Sequence, residues 1–442
     1  MGQAVADAML SLTTPRPARR KRELLAGLTA AVLAAGSWAG EADTAAGGTG
    51  LRMSGFGSLG LSRVDAPAGW GYRRELTQGG SDASWRPDVD TRLGVQVNYS
   101  LGSRFELVAQ VIAKKRGTYA SDGDALEWAY AAYRPNADWT LRAGRVNLDA
   151  FLMADYRNVG YGFMAARPPV ELYAMLPTSL DGADLARGWS HGDAHWRAKL
   201  MVGTAQIGDF HTAEPGRVRD VVGLMLSREE DGLLLRGSAS RTRIELAMGG
   251  LQPAVDALGQ LSALPIPVVA DQARQLRARL GVADIWATFL ELGLRHEMGN
   301  WQWSAELVRM SAAPLIKQSS AYATVGYRLG DWTPYIAHGR TRDAMPVTPV
   351  PAWAAALTPV LGPAAAAQSQ MLGVVITDAV NRSRVHQSGW SLGARWDLHP
   401  QAALKLQWDR IRVDAGGPGL WTGADGSAAK ANVATAVVDF IF

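Results

Sequence analysis

The chain has 442 residues, 48% of them hydrophobic and 19% charged, with a formal net charge of +4 and no cysteine. The missing cysteines exclude a thiolate nucleophile, a disulfide framework and a cysteine-based metal site. Residues 1–39 hold Arg16, Arg19, Arg20, Lys21 and Arg22 against Asp7 and Glu23, a net +3; subtracting this from +4 leaves about +1, which gives nucleic-acid binding no support.

In chain order, the first element is a secretory signal. The basic cluster precedes an apolar run from Leu24 to Ala35, and Ser37-Trp38-Ala39 puts small residues where a signal peptidase reads. The run is too short to span a bilayer as a stable helix. Cleavage is expected near Ala39, with Met9 as an alternative start, which assigns 1–39 to the signal and 40–442 to the mature domain. No linker divides the mature chain and no clear repeat runs through it.

Period-two alternation recurs along that domain. Leu93, Val95, Val97, Tyr99 and Leu101 oppose Arg92, Gln96, Asn98 and Ser100, and Phe105, Leu107, Ala109 and Val111 oppose Glu106, Gln110 and Lys114. Near the end, Trp390, Leu392, Ala394, Trp396 and Leu398 oppose Ser391, Gly393, Arg395, Asp397 and His399. Such half-apolar strands suit a wall between lipid and water, or the face of a soluble sandwich. The spacing predicts strands at 52–63, 90–101, 103–115, 124–134, 138–146, 181–190, 194–204, 218–228, 232–241, 284–298, 300–311, 319–329, 331–341, 387–399, 401–412 and 430–442.

The connections choose between the two. Long ones (64–89, 147–180, 242–283, 342–386) contrast with tight turns at Leu101-Gly102-Ser103, Pro135-Asn136-Ala137, Glu229-Glu230-Asp231, Gly299, Gly330 and Pro400. Loops sorted by length to opposite ends describe a transmembrane antiparallel β-barrel with short periplasmic turns and long extracellular loops. Trp139, Trp196, Trp301, Trp303, Trp332, Tyr99 and Phe105 lie beside the short turns, where amphipathic rings would girdle the headgroup level. Within the loops, residues 268–280 can form a short helix over the mouth. The run from Val350 to Ala367 is interrupted by Pro351, Pro359 and Pro363 and would break as a membrane helix; the segment 346–367 reads as an extracellular cap, or as a surface that buries the barrel against a neighbour.

The last strand is the sharpest signal. Phe442, Phe440, Val438, Ala436 and Ala434 share one face, and Asp439 and Thr435 the other. Together with the Trp390–Val413 hairpin, and with Trp139–Arg145 followed by a long third loop, it resembles the Gram-negative outer-membrane general porins of sixteen-stranded, trimeric type. The resemblance implies a passive diffusion channel for small hydrophilic solutes and ions, narrowed by a third loop near 147–180 folded into the lumen. It further implies a homotrimer among outer-membrane lipids, assembled by machinery that reads Phe442, with no cofactor.

By parity the inward basic residues include Arg92, Arg142, Arg197, Lys199, Arg236, Arg295, Arg328 and Arg395, and the inward acids Glu106, Glu127, Glu291, Glu306, Asp397 and Asp409. The third loop adds Asp149, Asp155, Arg157 and Glu171, with Asp181 at its edge. Acids on the loop facing Arg92 and Arg142 on the wall would set a transverse field at the narrowest point. The alternative is that these arginines only pair with neighbouring acids. A second alternative function is a substrate-selective anion or phosphate channel, since arginine grips phosphate with paired donors. An outer-membrane hydrolase is a remote third: the seven histidines are scattered, and no serine elbow or phosphate-binding loop is present.

Overall fold

The computed structural model describes residues 49–82, 84–116, 125–174, 177–207, 216–245, 252–280, 284–382 and 384–442; the signal segment and its cleavage point lie outside them. Sixteen long strands run β1 (Gly50–Asp65), β2 (Arg92–Leu101), β3 (Phe105–Lys114), β4 (Leu126–Tyr133), β5 (Trp139–Asn147), β6 (Ser179–His191), β7 (Ala194–Ile207) and β8 (Gly216–Glu230). They continue as β9 (Leu233–Glu245), β10 (Asp284–Met298), β11 (Trp301–Ala312), β12 (Ile316–Tyr327), β13 (Trp332–Asp343), β14 (Val385–His399), β15 (Ala402–Pro418) and β16 (Ala429–Ile441). Each pairs antiparallel with its sequence neighbour, and β1 pairs with both β2 and β16, the last from Phe56↔Ile441 to Asp65↔Asn432. The sheet is closed, so no edge carries unpaired amides.

The alternation that predicted the strands also sets their facing. Leu59, Leu107, Leu200, Leu224, Leu292 and Leu406 stand exposed on the outer wall. An apolar belt all the way round is unstable in water and is what hydrocarbon solvates. A register shift at Arg219/Val222 swaps the outward parity of β8, so Arg217 and Arg219 face out above the shift and Val222, Leu224 and Leu226 below it. At the short-turn rim, outward rings meet in pairs: Trp332 and Trp396 at 4.9 Å, Phe105 and Tyr133 at 4.6 Å, Trp301 and Tyr327 at 4.8 Å. These are the girdle the sequence placed there, joined by Trp189 stacked on Trp196.

The closing seam explains the terminal phenylalanines. Phe440 and Phe442 lie over Gly57 and Gly55 of β1; a Cβ on Gly57 would fall 2.3 Å from the Phe440 ring, so the glycines are the seats for the rings.

At the long-loop end, α2 (Gln252–Ser262), α3 (Pro267–Leu280) and α4 (Trp353–Arg382) pack together, α1 being the single turn Val170–Tyr173. Leu258, Leu261, Val269, Ala273, Trp353, Leu357, Leu372 and Ile376 form their common core. Helix α3 realises the helix read over 268–280. Helix α2 and the length of α4 were not foreseen. The expected break in 346–367 falls at Gly362, with φ 76° between Pro359 and Pro363, and helix resumes beyond it to Arg382. By length and composition Trp353–Asn381 could cross a membrane; Trp353, Leu357, Leu372 and Ile376 of it lie in the core of this helical cap, while Val360 and Met371 are exposed.

Candidate functional site

The connection 148–178 enters the barrel after β5 and is tied to opposite arcs of the ring. On one side, Asp149 lies between Lys199 of β7 and Arg236 of β9, with its Oδ1 accepting from Arg236 at 2.6 Å, while Arg236 Nε also reaches Glu291 of β10 at 3.2 Å. Burial raises the proton affinity of Asp149, but Lys199 and Arg236 outweigh it and hold the carboxyl well below the usual range. Ser238 donates to the Ala150 carbonyl, the Leu152 amide donates to Glu306 of β11 at 3.0 Å, and the Tyr173 hydroxyl donates to the same carboxylate at 2.7 Å. Around these bonds Phe151, Met153, Phe163, Leu172 and Tyr173 pack on the inward Phe289, Met310 and Tyr322. The inward face of β10–β12 is therefore apolar where the loop docks, in contrast to the polar lumen read from parity.

On the opposite arc, Arg167 is buried at the centre of a second network. It pairs with Asp90 at 2.7 Å and Asp409 of β15 at 2.9 Å, lies over the Tyr72 ring, and donates to Thr435 of β16. Below it, buried Lys405 pairs with Asp439 at 2.9 Å and donates to the Gly160 and Ala165 carbonyls, and Arg395 donates to the Tyr161 carbonyl at 2.7 Å. Gly160 sits so close that a Cβ would meet Asp439 Oδ1 at 2.0 Å. The β9 and β1 walls lie eight strands apart in a ring of sixteen, so a loop bonded to both crosses the bore.

The loop before it adds a third hold. Glu75 pairs with Lys114 at 2.7 Å, and although burial would raise its pKa, Lys114, Arg157 and Arg74 bring it down to about 2. Arg157 donates to the Tyr173 carbonyl at 2.7 Å. Glu171 is buried beside Gln387, which donates to it at 3.1 Å, and burial pushes its carboxyl up.

Partly exposed charges inside the bore lie beside β5 and β7. Asp155 of the loop is half-exposed, 3.9 Å from Arg197 of β7. The Arg142 guanidinium of β5 holds Asp184 at 2.9 Å and donates to Asn147 at 2.7 Å, and Asn147 in turn donates to Asp155. Arg295 of β10 acts on the neighbouring Tyr156 phenol, whose pKa burial raises and this cation draws back down. Arg197 and the Arg142–Asn147 pair thus flank one loop carboxylate, with Arg295 beside the next loop residue, Tyr156.

Of the residues singled out by sequence, Arg142, Arg197, Arg295 and Asp155 meet in this group. Asp149, Arg157, Glu171 and Arg395 are spent on anchoring the loop. Arg92 is buried and donates to the Asp90 carbonyl at 3.2 Å rather than pointing at a loop acid, and Arg328 is exposed at the β12–β13 turn. Local pairing, weighed as the alternative for the wall arginines, describes Arg142 with Asp184 and Arg395 with Asp397. Sequence reasoning missed Arg167, Asp90, Lys405 and Asn147. The available signal was parity: Thr435 and Asp439 already pointed inward and needed partners.

No family model matches the chain, and no curated protein matches it in sequence. Solved structures do resemble it. OmpT of Vibrio cholerae in its trimer form is 9% identical, covering 89% of this chain and 99% of its own, with a TM-score of 0.48. The outer membrane channel DcaP of Acinetobacter baumannii is 10% identical over 90% and 100%, at 0.49. A mutant porin of Rh. blastica is 10% identical over 89% and 100%, at 0.44.

Proposed function

We propose that the chain is an outer-membrane porin, a passive diffusion channel for small hydrophilic solutes and ions. One observation carries this: a closed wall, apolar outside, whose bore is crossed by a loop that leaves Asp155 and Arg197 partly exposed to water, beside the Arg142–Asp184 pair. A packed bore without such a group would serve only as a plug or anchor. Charges of both signs across a narrow path orient dipolar solutes and let hydrated ions pass, while bulky apolar solutes lose more hydration than they recover. Export by a cleaved signal, recognition of Phe442 by the assembly machinery and a homotrimeric state belong to the same reading.

The excess of one arginine in the group, Arg142, Arg197 and Arg295 against Asp155 and Asp184, favours anions, which gives the anion-selective channel a specific observation in its support. Catalysis is not part of the proposal, because the buried acids and tyrosines hold the loop. Planar-bilayer recording of the refolded protein tests the reading. Discrete conductance steps with reversal potentials on the anion side are expected, and Arg142→Ala with Arg197→Ala and Arg295→Ala should move them toward cations. Absence of conductance from folded protein would refute the channel; fatty-acid or peptide release by the same preparation would favour the hydrolase.

A further inference from the structure

The outer wall carries a feature that passive diffusion does not use. Strand β12 turns small side chains outward at Ser319, Ala321 and Ala323, and the first two lie on the floor of a shallow slot. Leu290, Leu292 and Leu307 wall it on one side, and Arg340 and Arg342 on the other, in a groove of about 410 Å³. Register fixes the arrangement: Arg309, Ser319 and Arg342 lie in one row across β11–β13, and Leu307, Ala321 and Arg340 in the next. Two strand spacings separate Arg309 from Arg342, about 10 Å. Lys317 is exposed on the same face, one step nearer the long-loop end.

The charge here is unbalanced. Arg309 and Arg340 are exposed and have no acid partner among the described residues, and Arg342 donates to the His386 ring at 3.2 Å, which in turn lies 3.2 Å from Asp414. The comparison is with the other outward basic cluster, on β8 and β9, where Arg219 pairs with Glu245, and Arg243 lies near both Asp220 and Asp284. There Arg219 and Arg243 are matched by acids, while Arg241 lies over the Trp286 ring. Arginine on a lipid-facing wall is costly at mid-depth and tolerated at headgroup level, so uncompensated cations above an apolar slot mark a place where anionic headgroups sit over acyl chains.

We propose that this groove binds a multiply phosphorylated glycolipid of the outer leaflet, acyl chain along Ser319–Ala323 and phosphates on Arg309, Arg340, Arg342 and Lys317. The site lies at the long-loop end, which faces outward in the reading given above and on which this inference rests. Cations spread over about 10 Å exceed the reach of a single phosphate and suit a head group carrying two. Arginine binds each through paired donors.

The test titrates diphosphorylated lipid A into the full folded barrel in detergent and counts adducts by native mass spectrometry. A saturable one-to-one adduct is expected, weakened at least tenfold in the Arg309→Ala, Arg340→Ala, Arg342→Ala triple variant and by Ala321→Trp, which fills the slot. Arg219→Ala with Arg243→Ala should bind as the parent does. An unheated electrophoretic shift verifies that each variant is folded. No adduct, equal loss in the β8–β9 variant, or equal binding of phosphatidylglycerol would overturn the proposal. So would Lys317→Cys cross-linking one protomer to another through this face. Conductance of the same preparation reports the channel reading separately, so either idea can fail alone.

Discussion

Replacing Arg167 with alanine removes the loop's own cation from the β15–β16–β1 wall, while Lys405 of that wall keeps its bonds to the loop carbonyls of Gly160 and Ala165. The Arg167 guanidinium serves Asp90 at 2.7 Å and Asp409 at 2.9 Å, all three being buried. Breaking a buried pair by removing one partner costs about 3–5 kcal/mol, because the other charge stays behind unpaired. Asp90 keeps Arg74 at 3.3 Å, and Asp409 keeps its bonds from Ser391 and Gln407, so the lower end of that range applies. About 3 kcal/mol is roughly a hundredfold shift toward the undocked loop, at 1.4 kcal/mol per factor of ten. The Asp149 anchor on the far wall and the Lys405 and Arg395 bonds to the loop backbone are untouched, so the barrel should still fold and the loop should loosen around residue 167. Single-channel recording is the assay: conductance should rise and open-channel noise increase, with unchanged migration on unheated gels. Conductance and noise equal to the parent's would refute the argument that this network holds the loop across the bore.

Two further predictions come from the same loop. Glu171 is protonated more readily in the folded chain than in the unfolded one because it is buried without a cation. It therefore stabilises the fold fully below the unfolded value of about 4.3, and that contribution is lost as pH rises through the raised folded value. Glu171→Gln should abolish this component, leaving the variant at least as stable as the parent at pH 7.5 and flatter between pH 4 and 8 in urea midpoints; parallel curves would count against it. Gly160→Ala should cost about 1–3 kcal/mol, the price of overpacking, since its Cβ would collide with Asp439 at 2.0 Å and Ser58 Oγ at 2.7 Å. Thermal gel-shift midpoints measure it, and an unchanged midpoint would mean that the seat has slack.

The sixteen strands, their facing and most of the sorting of their connections were legible in the sequence, the three-residue connection 313–315 at the long-loop end being the exception. A strand between lipid and water writes its own environment into every second residue. Strand 52–63, for example, needed only extension to Gly50–Asp65. The girdle at Trp301, Trp303 and Trp332 was equally local. Helix α4 was hidden by its prolines, which read as breaks although the cap packs around them, and α2 lay in a connection long enough to hide it. The loop's anchorage was decided only in three dimensions. Asp90, Arg167, Asp409 and Thr435 come from four separate segments, and no period along the chain relates them. Periodicity names the side of the wall a residue faces; which buried charge meets which depends on closure of the ring, since only closure brings the first and last strands to one loop. The lumen-facing arginines were therefore readable from sequence. Tertiary structure alone separated those that hold the loop from those left in water.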